Sequence, residues 1–292
     1  MITSRALILS SLLVAAVGCG KKSKMIQNKG SDTMINLVQS LAEEYRKVNS
    51  KVAIAVSGGG SGVGIAALEN GTVDLANASR ELKPEEIEKI TKRTGKAPIS
   101  HTVAYDALAV YVHRANPLPK ITKAQLACIY GEGGTCGKWT DLGVEVPGCS
   151  GQEIVRISRQ NNSGTYAYFR EWVVGEKADF KLGSRDLSGS KDVVDLVANT
   201  PCAIGYSGIG YKTSGVKAAC LAKADEPCVE PSTATALDGT YPLARALYMI
   251  TTGSPSPDVI GYLDWVRSDA GQTVVEKIGY APLPAAQRTP AK

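Results

Sequence analysis

The chain has 292 residues, with 33 Lys+Arg against 28 Asp+Glu, 43% hydrophobic residues and 6% aromatics. That length and apolar content suit one large domain or two modest ones, and exclude a disordered chain or a miniprotein held by disulfides alone. A formal charge of +5 that belongs to no tail argues against a dedicated nucleic-acid binder, and His101 and His113, the two histidines, leave little for a His-rich metal cage or a His-relay hydrolase.

Behind Arg5, Ala6 to Val17 is a run of apolar and small residues broken only by Ser10 and Ser11. It is shorter than the roughly 20 residues a membrane-spanning helix needs. It ends in Ala16-Val17-Gly18-Cys19, and Gly20-Lys21-Lys22-Ser23-Lys24 follows. Residues 1–18 read as a secretory signal peptide. Small residues before a Cys resemble a bacterial lipoprotein processing site, although Ala16 stands where the best-known form has Leu. Cys19 is then expected to carry lipid, with 19–24 as the tether to a bilayer outside the cytoplasm.

Strands and helices alternate from there. Met34, Leu37, Val38, Leu41, Ala42 and Tyr45 fall on one face of an amphipathic helix. Val52 to Val56 is a short β-rich run, followed by Gly58-Gly59-Gly60 and a helix starting near Ile65. Pro84 to Thr94 has Pro at its start and Gly95 just past its end, the punctuation of a helix. Ile99 to His113 is a long extended stretch stopped by Asn116-Pro117-Leu118-Pro119. Ile154 to Ser158, Ala203 to Ile209 and Ala244 to Ile250 read as strands. Helices carry Phe169, Trp172 and Val173, then Val193 to Val197, then Ile260 to Val266 and Val274 to Ile278. No internal repeat is visible. The repeated β-then-α units predict an α/β fold with mostly parallel sheets covered by helices. The Pro/Ala-rich end from Pro282 is expected to fray.

Seven Cys is an awkward count for an exported protein, but a lipidated Cys19 leaves six: Cys128, Cys136, Cys149, Cys202, Cys220 and Cys228. An even set in an oxidising compartment predicts up to three disulfides. None has the C-x-x-C spacing of a zinc or redox site, so no metal is expected. Connectivity stays open, with a local Cys220–Cys228 loop favoured.

Three places combine a strand, a loop of small hydroxyl and Gly residues, and a helix start: Gly30 to Met34, Gly58 to Gly64, and Arg159 to Thr165. Each presents backbone N–H groups that lack intrahelical partners, with the positive end of a helix dipole behind them. Such termini bind oxyanions without any catalytic group. For one loop alone, capping by Ser31, Ser61 or Ser163 is the plainer reading. Arg159 and Arg80, the latter just after Leu75 to Ser79, strengthen the anion reading, because two guanidinium groups would add bidentate contacts to one tetrahedral ion.

The chain resembles the phosphate-binding proteins of bacterial high-affinity phosphate ABC importers. The resemblance is carried by Gly30–Met34, Gly58–Gly64, Gly71–Arg80, Asn116-Pro117, Ile129-Tyr130-Gly131, Trp139, Arg159 with Ser163-Gly164-Thr165, Ala203–Tyr206 and Tyr241-Pro242-Leu243. These run in family order from about Met25 to about Tyr280. The resemblance implies an α/β periplasmic-binding-protein-like fold of two lobes joined by two crossover strands, with the ligand cleft between them. Lobe one would be 25–103 with 246–284, lobe two 104–245, and 285–292 a tail. Tyr105-Asp106 and Ala244–Leu247 would lie at the crossovers.

The resemblance implies Thr33, Met34, Ser61, Arg159, Ser163, Gly164 and Thr165 as the ligand set for inorganic phosphate, and the reading of the loops and strand end adds Ser31, Ser79 and Arg80. The implied partners are permease subunits of an ABC importer, with no cofactor, no nucleic acid and a monomeric state. Two departures stand out. Arg80 occupies the position where many members have an Asp that accepts the proton phosphate retains. Asn161 stands where some have an acidic residue beside the loop Arg. The site should therefore be more positive than the Asp-bearing form, unless Asp32 or another carboxylate compensates. Arsenate, sulfate, molybdate and tungstate are the alternative ligands.

An exported Ser-dependent hydrolase is the rival class. Ser188-x-x-Lys191 and Ser214-x-x-Lys217 match a Ser/Lys spacing, without a G-x-S-x-G elbow. Gly62-x-Gly64-x-x-Ala67 imitates a dinucleotide fingerprint, but an exported protein has little access to that cofactor. An adhesion or scaffold protein that kept the fold is the third class.

Overall fold

The computed structural model describes residues 24–290 apart from 225 and 254; the signal segment, Cys19 and the tether to Ser23 lie outside the described residues. Its first unit is β1 (Lys24–Gly30), α1 (Ile35–Val48), β2 (Val52–Ser57), α2 (Ser61–Glu69), β3 (Leu75–Ala78) and α3 (Pro84–Thr94). The expected face of α1 is the one that packs: Leu37, Val38, Leu41 and Tyr45 are buried against Ile26, Val52 and Leu75. On the other side of this sheet, Ile65, Leu68 and Ile90 of α2 and α3 cover Ala76, Ala78 and Ile250. The α3 helix starts and stops where Pro84 and Gly95 predicted, with Gly95 in the left-handed conformation at φ 70°.

The chain then runs through β4 (Pro98–His113), 16 residues long. Its first part pairs antiparallel with β11 (Ala244–Thr252), and its second part pairs with β8 (Ala203–Gly208) and β9 (Val216–Ala218). Two cores lie on either side of this crossing. The second is built on β4, β8, β6 (Val155–Arg159) and β7 (Arg185–Leu187). Leu108, Val110 and Val112 face a core shared with Ile129, Trp139, Phe169 and Tyr206, while Ala109 and Tyr111 face Ile157, Val193 and Val197. Coverage on both faces explains why this stretch reads as an unbroken apolar run. α5 (Gly164–Val174) and α6 (Ser190–Ala198) flank that sheet, and α8 (Pro257–Val266) and α9 (Asp269–Lys277) return to the first core.

One continuous path of strands, in the order β2-β1-β3-β11-β4-β8-β6-β7, thus links two lobes through two crossover strands. This is the two-lobed periplasmic-binding-protein-like fold. The sheet is mixed rather than mostly parallel. Pairing is parallel within each lobe, at β1/β2, β1/β3, β6/β7 and β6/β8, and antiparallel wherever β4 or β11 takes part. The reason is topological: two strands that carry the chain across and back must oppose each other.

The C-terminal segment does not fray as expected. Leu283 is buried, its N–H donates to Gln272 Oε1 at 2.6 Å, and Ala281 exchanges backbone hydrogen bonds with Tyr105. Three disulfides form in the second lobe: Cys128–Cys136, Cys149–Cys202 and Cys220–Cys228, with Cα–Cα spacings of 5.2, 5.4 and 5.5 Å. Among the described residues no helix is long and apolar enough to cross a membrane.

Candidate functional site

Four helix N-termini meet where the lobes touch. β1 ends at Gly30, which lies so close to β3 that an added Cβ would sit 2.2 Å from the Asn77 carbonyl oxygen. This contact aims Ser31 and the short turn Asp32–Met34 into the cleft, and α1 follows at once. α2 begins at Ser61 after the glycine loop, and α5 begins at Gly164 after the loop that follows β6. The fourth terminus belongs to α6, with Ser190 as its first residue. The sequence reading had found the first three.

Thr33 is the meeting point. Its hydroxyl lies 2.7 Å from the Thr165 hydroxyl and 3.4 Å from that of Ser190. Thr33, Ser61 and Thr165 are buried, as are Ser31, Met34, Ser79 and Ser163. Ser79 Oγ accepts from Ser31 at 3.0 Å and lies 3.4 Å from Ser61 Oγ, which in turn accepts from the Ser79 N–H at 3.1 Å. Ser163 is the N-cap of α5 and accepts from the N–H groups of Thr165 and Tyr166 at 3.2 and 3.3 Å, as the plainer reading expected. The ends of α2 and α5 abut: the Gly62 N–H donates to the Asn162 carbonyl at 3.0 Å, and Asn162 Nδ2 donates to Gly59 O at 3.1 Å. A Cβ on Gly164 would lie 2.3 Å from Ser61 Oγ, so only glycine allows this approach.

Arg159 reaches the same point from the end of β6, with 1% of its surface exposed. Its Nη1 donates to Ser190 Oγ at 2.8 Å and its Nε to Leu187 O at 3.2 Å, while Nη2 donates to Ser188 O and lies 3.5 Å from Asp32 Oδ2. Burial lowers the guanidinium pKa, and the Asp32 charge works against that shift. Asp32 itself is held by the Gly59 N–H at 2.8 Å, and its carbonyl accepts from Tyr211 OH at 2.9 Å. Asp32 thus supplies, from the opposite lobe, the acid that Asn161 does not.

Arg80 does not join this cluster. Its guanidinium forks onto Glu86, with Nη1–Oε2 at 2.8 Å and Nη2–Oε1 at 2.7 Å, and also donates to Glu81 O. It lines a groove of about 830 Å³ between the lobes, with Lys83 and Tyr248 from one side and Tyr168 from the other. Glu86 sits in the first turn of α3 and also accepts from the Lys83 N–H, so the helix start that the sequence revealed is what draws Arg80 away. The second guanidinium comes from Arg245, on β11, which the sequence reading missed. It pairs with the fully buried Asp106 and donates to Thr165 Oγ1 at 3.1 Å. Each buried arginine therefore faces a carboxylate, and the expected excess of positive charge is offset.

The rival motifs find no shared site. Lys191 pairs with Asp195 on an exposed helix face, while the Ser188 carbonyl accepts from Arg159. Gly64 packs so closely on β1 that a Cβ would sit 2.4 Å from Lys29 O, a packing role rather than a phosphate loop. His101 Nε2 lies 3.1 Å from Thr251 Oγ1, burial lowers its pKa, and His113 Nδ1 accepts from the Ala115 N–H. Among the described residues no group of three or more His, Cys, Asp or Glu could hold a metal ion.

The chain is similar to known proteins over most of its length. Residues 16–270 match the model of a PBP superfamily domain. The phosphate-binding protein PstS of Pseudomonas aeruginosa strain PAO1 is 39% identical over 272 residues, covering 89% of this chain and 83% of that protein. Protein SphX of Synechococcus elongatus is 32% identical over 280 residues, covering 91% and 80%. Among solved structures, a Clostridium perfringens protein, assigned as a phosphate ABC transporter substrate-binding protein and carrying bound phosphate, superposes with a TM-score of 0.77 at 26% identity over 89% of this chain and 100% of that one. An ABC-type phosphate transport receptor from Vibrio cholerae gives 0.70 at 25% identity, with the same coverage.

Proposed function

The chain belongs to the PBP superfamily and, within it, to the PstS family of phosphate-binding proteins, and on that premise we propose that it binds inorganic phosphate and delivers it to an ABC importer. The observation that carries this is the convergence of four helix N-termini and the buried Arg159 on Thr33. The ligand set is read as the Thr33 and Met34 N–H groups, the Thr33, Ser61, Ser163 and Thr165 hydroxyls, the Gly164 N–H and the Arg159 fork, with the Met34 N–H giving up the Ser31 carbonyl it meets at 3.0 Å and Arg159 Nη1 giving up Ser190 Oγ when the anion binds. Ser31 and Ser79 support Ser61. Hydrogen bonds to charged groups contribute roughly 1.5–3 kcal/mol each, so six to eight donors reach the approximately 8 kcal/mol of a micromolar complex after desolvation and closure costs. No covalent chemistry is needed, and the role is transport rather than catalysis.

Thr33 and Thr165 touch directly across the cleft, so an anion enters only when the lobes part, and their closure on it excludes water. Closure gives a permease a ligand-dependent shape to read. The two cores fit lobe one as 25–103 with 246–284 and lobe two as 104–245, except that Ala104 packs with the first core and Ala281 with the second. The same reading makes the protein an extracytoplasmic monomer, processed after residue 18 and anchored by lipid on Cys19.

Titration calorimetry on delipidated protein tests the ligand. Phosphate should bind at micromolar concentration or below, and sulfate should bind more weakly. Absence of phosphate binding, or tighter binding of sulfate, rejects the assignment. Mass spectrometry of the membrane-extracted protein tests the anchor, which requires an acylated Cys19 at its amino terminus.

A further inference from the structure

Arg245 has no place in the ligand set above, yet it touches the site from behind. It faces Asp106 in the β11–β4 register, so both charges are carried by the crossover strands. Nε and Nη2 donate to Asp106 Oδ2 at 3.1 and 2.8 Å, and Asp106 Oδ1 accepts from the Ile209 N–H at 3.1 Å. Nη1 donates to the Ser79 carbonyl at 3.1 Å, at the end of β3 in the first lobe. Nη2 also donates to Thr165 Oγ1 at 3.1 Å, on the first turn of α5 in the second. The ion pair is almost wholly buried, with side-chain exposures of 2% for Arg245 and 0% for Asp106.

A hydroxyl can donate or accept, but a guanidinium can only donate. Thr165 Oγ1 must therefore accept from Arg245, and its single proton has to point elsewhere. The direction left to it is the point shared with Thr33, 2.7 Å away. A lone pair facing an oxyanion there would repel it, whereas a proton binds it. Charge on the donor behind also polarises the hydroxyl and strengthens the bond it gives. Asp106 keeps the buried guanidinium compensated, so this polarisation does not leave an unpaired charge in the core.

We propose that Arg245, held by Asp106, is a positioning residue that commits the Thr165 hydroxyl to donate toward the bound phosphate. The inference rests on the phosphate reading given above. A purely structural buried pair would support folding equally whether or not Thr165 carried a hydroxyl, and that difference is measurable.

The test is a double-mutant cycle read by phosphate calorimetry. Arg245→Met combined with Asp106→Asn removes both charges and leaves an acceptor for the Ile209 N–H. This pair of substitutions is made in the native background and in the Thr165→Val background, with thermal melting without phosphate as the check on folding. The expected loss of affinity is about tenfold or more in the native background and under about threefold with Thr165→Val, the non-additivity of groups that act together. Thr165→Ser, which keeps the hydroxyl, should restore the full sensitivity. Losses that agree within about threefold in the Thr165 and Thr165→Val backgrounds overturn the inference. Should the pair of substitutions prevent folding, Arg245→Lys gives the same comparison, because lysine keeps the charge but cannot fork to Asp106, Ser79 and Thr165 together. If the native protein fails to bind phosphate, the functional reading itself falls, an outcome distinct from additive losses in a protein that binds.

Discussion

The two lobes meet along one cleft but are each held together by different means. The first has α1, 14 residues long, packed on the β1–β2–β3 sheet, and its described residues contain no disulfide. In the second, the stretch between α4 (Lys123–Tyr130) and β6 contains only a short 3-10 turn at Trp139–Leu142. Cys128–Cys136 pins one end of that stretch, and Cys149–Cys202 pins the other to the start of β8. Those two bridges stand where hydrogen-bond ladders are missing, whereas Cys220–Cys228 starts from a strand paired with residues 120–122. The lobes differ at the cleft too. The first offers hydroxyls, helix ends and the Asp32 carboxylate, and the second brings the Arg159 charge. The disulfides thus lie on the side that carries the buried Arg159.

The largest expected effect tests the covalent half of that contrast. Loop-closure entropy assigns about 4 kcal/mol to Cys149–Cys202, which spans 53 residues, and roughly 2.5 kcal/mol to either bridge spanning 8. The Cys149→Ala/Cys202→Ala variant should show that loss in urea unfolding. Hydrogen exchange should report lost protection at 131–154 while α1 stays protected. Uniform loss across both lobes would break the comparison.

Next comes the charge. Arg159→Met removes a buried cation with four polar neighbours and should weaken phosphate binding by about a hundredfold, the scale of two charge-assisted hydrogen bonds. Unchanged calorimetric binding by a folded variant would reject the site. The matching change in the first lobe, Ser61→Ala, removes a neutral donor and should cost about tenfold, the lower end for a hydrogen bond to a charged group.

Local chemistry was readable in the sequence, and long-range pairing was not. α3 was legible to the residue, because Pro84 and Gly95 act within one helical turn. Three of the four helix ends were legible, because small hydroxyl and glycine residues must precede them. Ser190 begins the fourth, and its Gly189-Ser190 start was a usable signal that the loops already found overshadowed. Arg245 is a lone charge in the strand Ala244–Thr252, and its meaning arises only when β11 registers against β4 and sets it opposite Asp106. Arg80 is the reverse case. It follows a strand end that does border the cleft, but the acidic first turn of α3, with Glu85 and Glu86, competes for it locally.

Two smaller effects sharpen how closely the lobes must meet. Gly164→Ala places a methyl group where Ser61 Oγ lies 2.3 Å away, about an ångström short of the 3.4 Å of ordinary contact, so the helix ends of the two lobes would be held apart by about that much. Phosphate affinity should fall by about tenfold through weakened donors on both sides, with a melting temperature close to that of the native protein in the absence of phosphate. A larger loss of stability than of affinity would mean that the contact serves folding rather than closure.

Arg80→Met gives the smallest effect. Its guanidinium is committed to Glu86, away from the Thr33 cluster, so calorimetric affinity for phosphate should stay within about threefold of native, the scale of a partly exposed ion pair acting at a distance. Glu86 would still cap the Lys83 N–H, which preserves the start of α3. A loss approaching that of Arg159→Met would show that Arg80 leaves Glu86 when phosphate binds and reaches across the cleft. The first lobe would then supply charge as well as neutral donors, and the division of labour between the lobes would have to be redrawn.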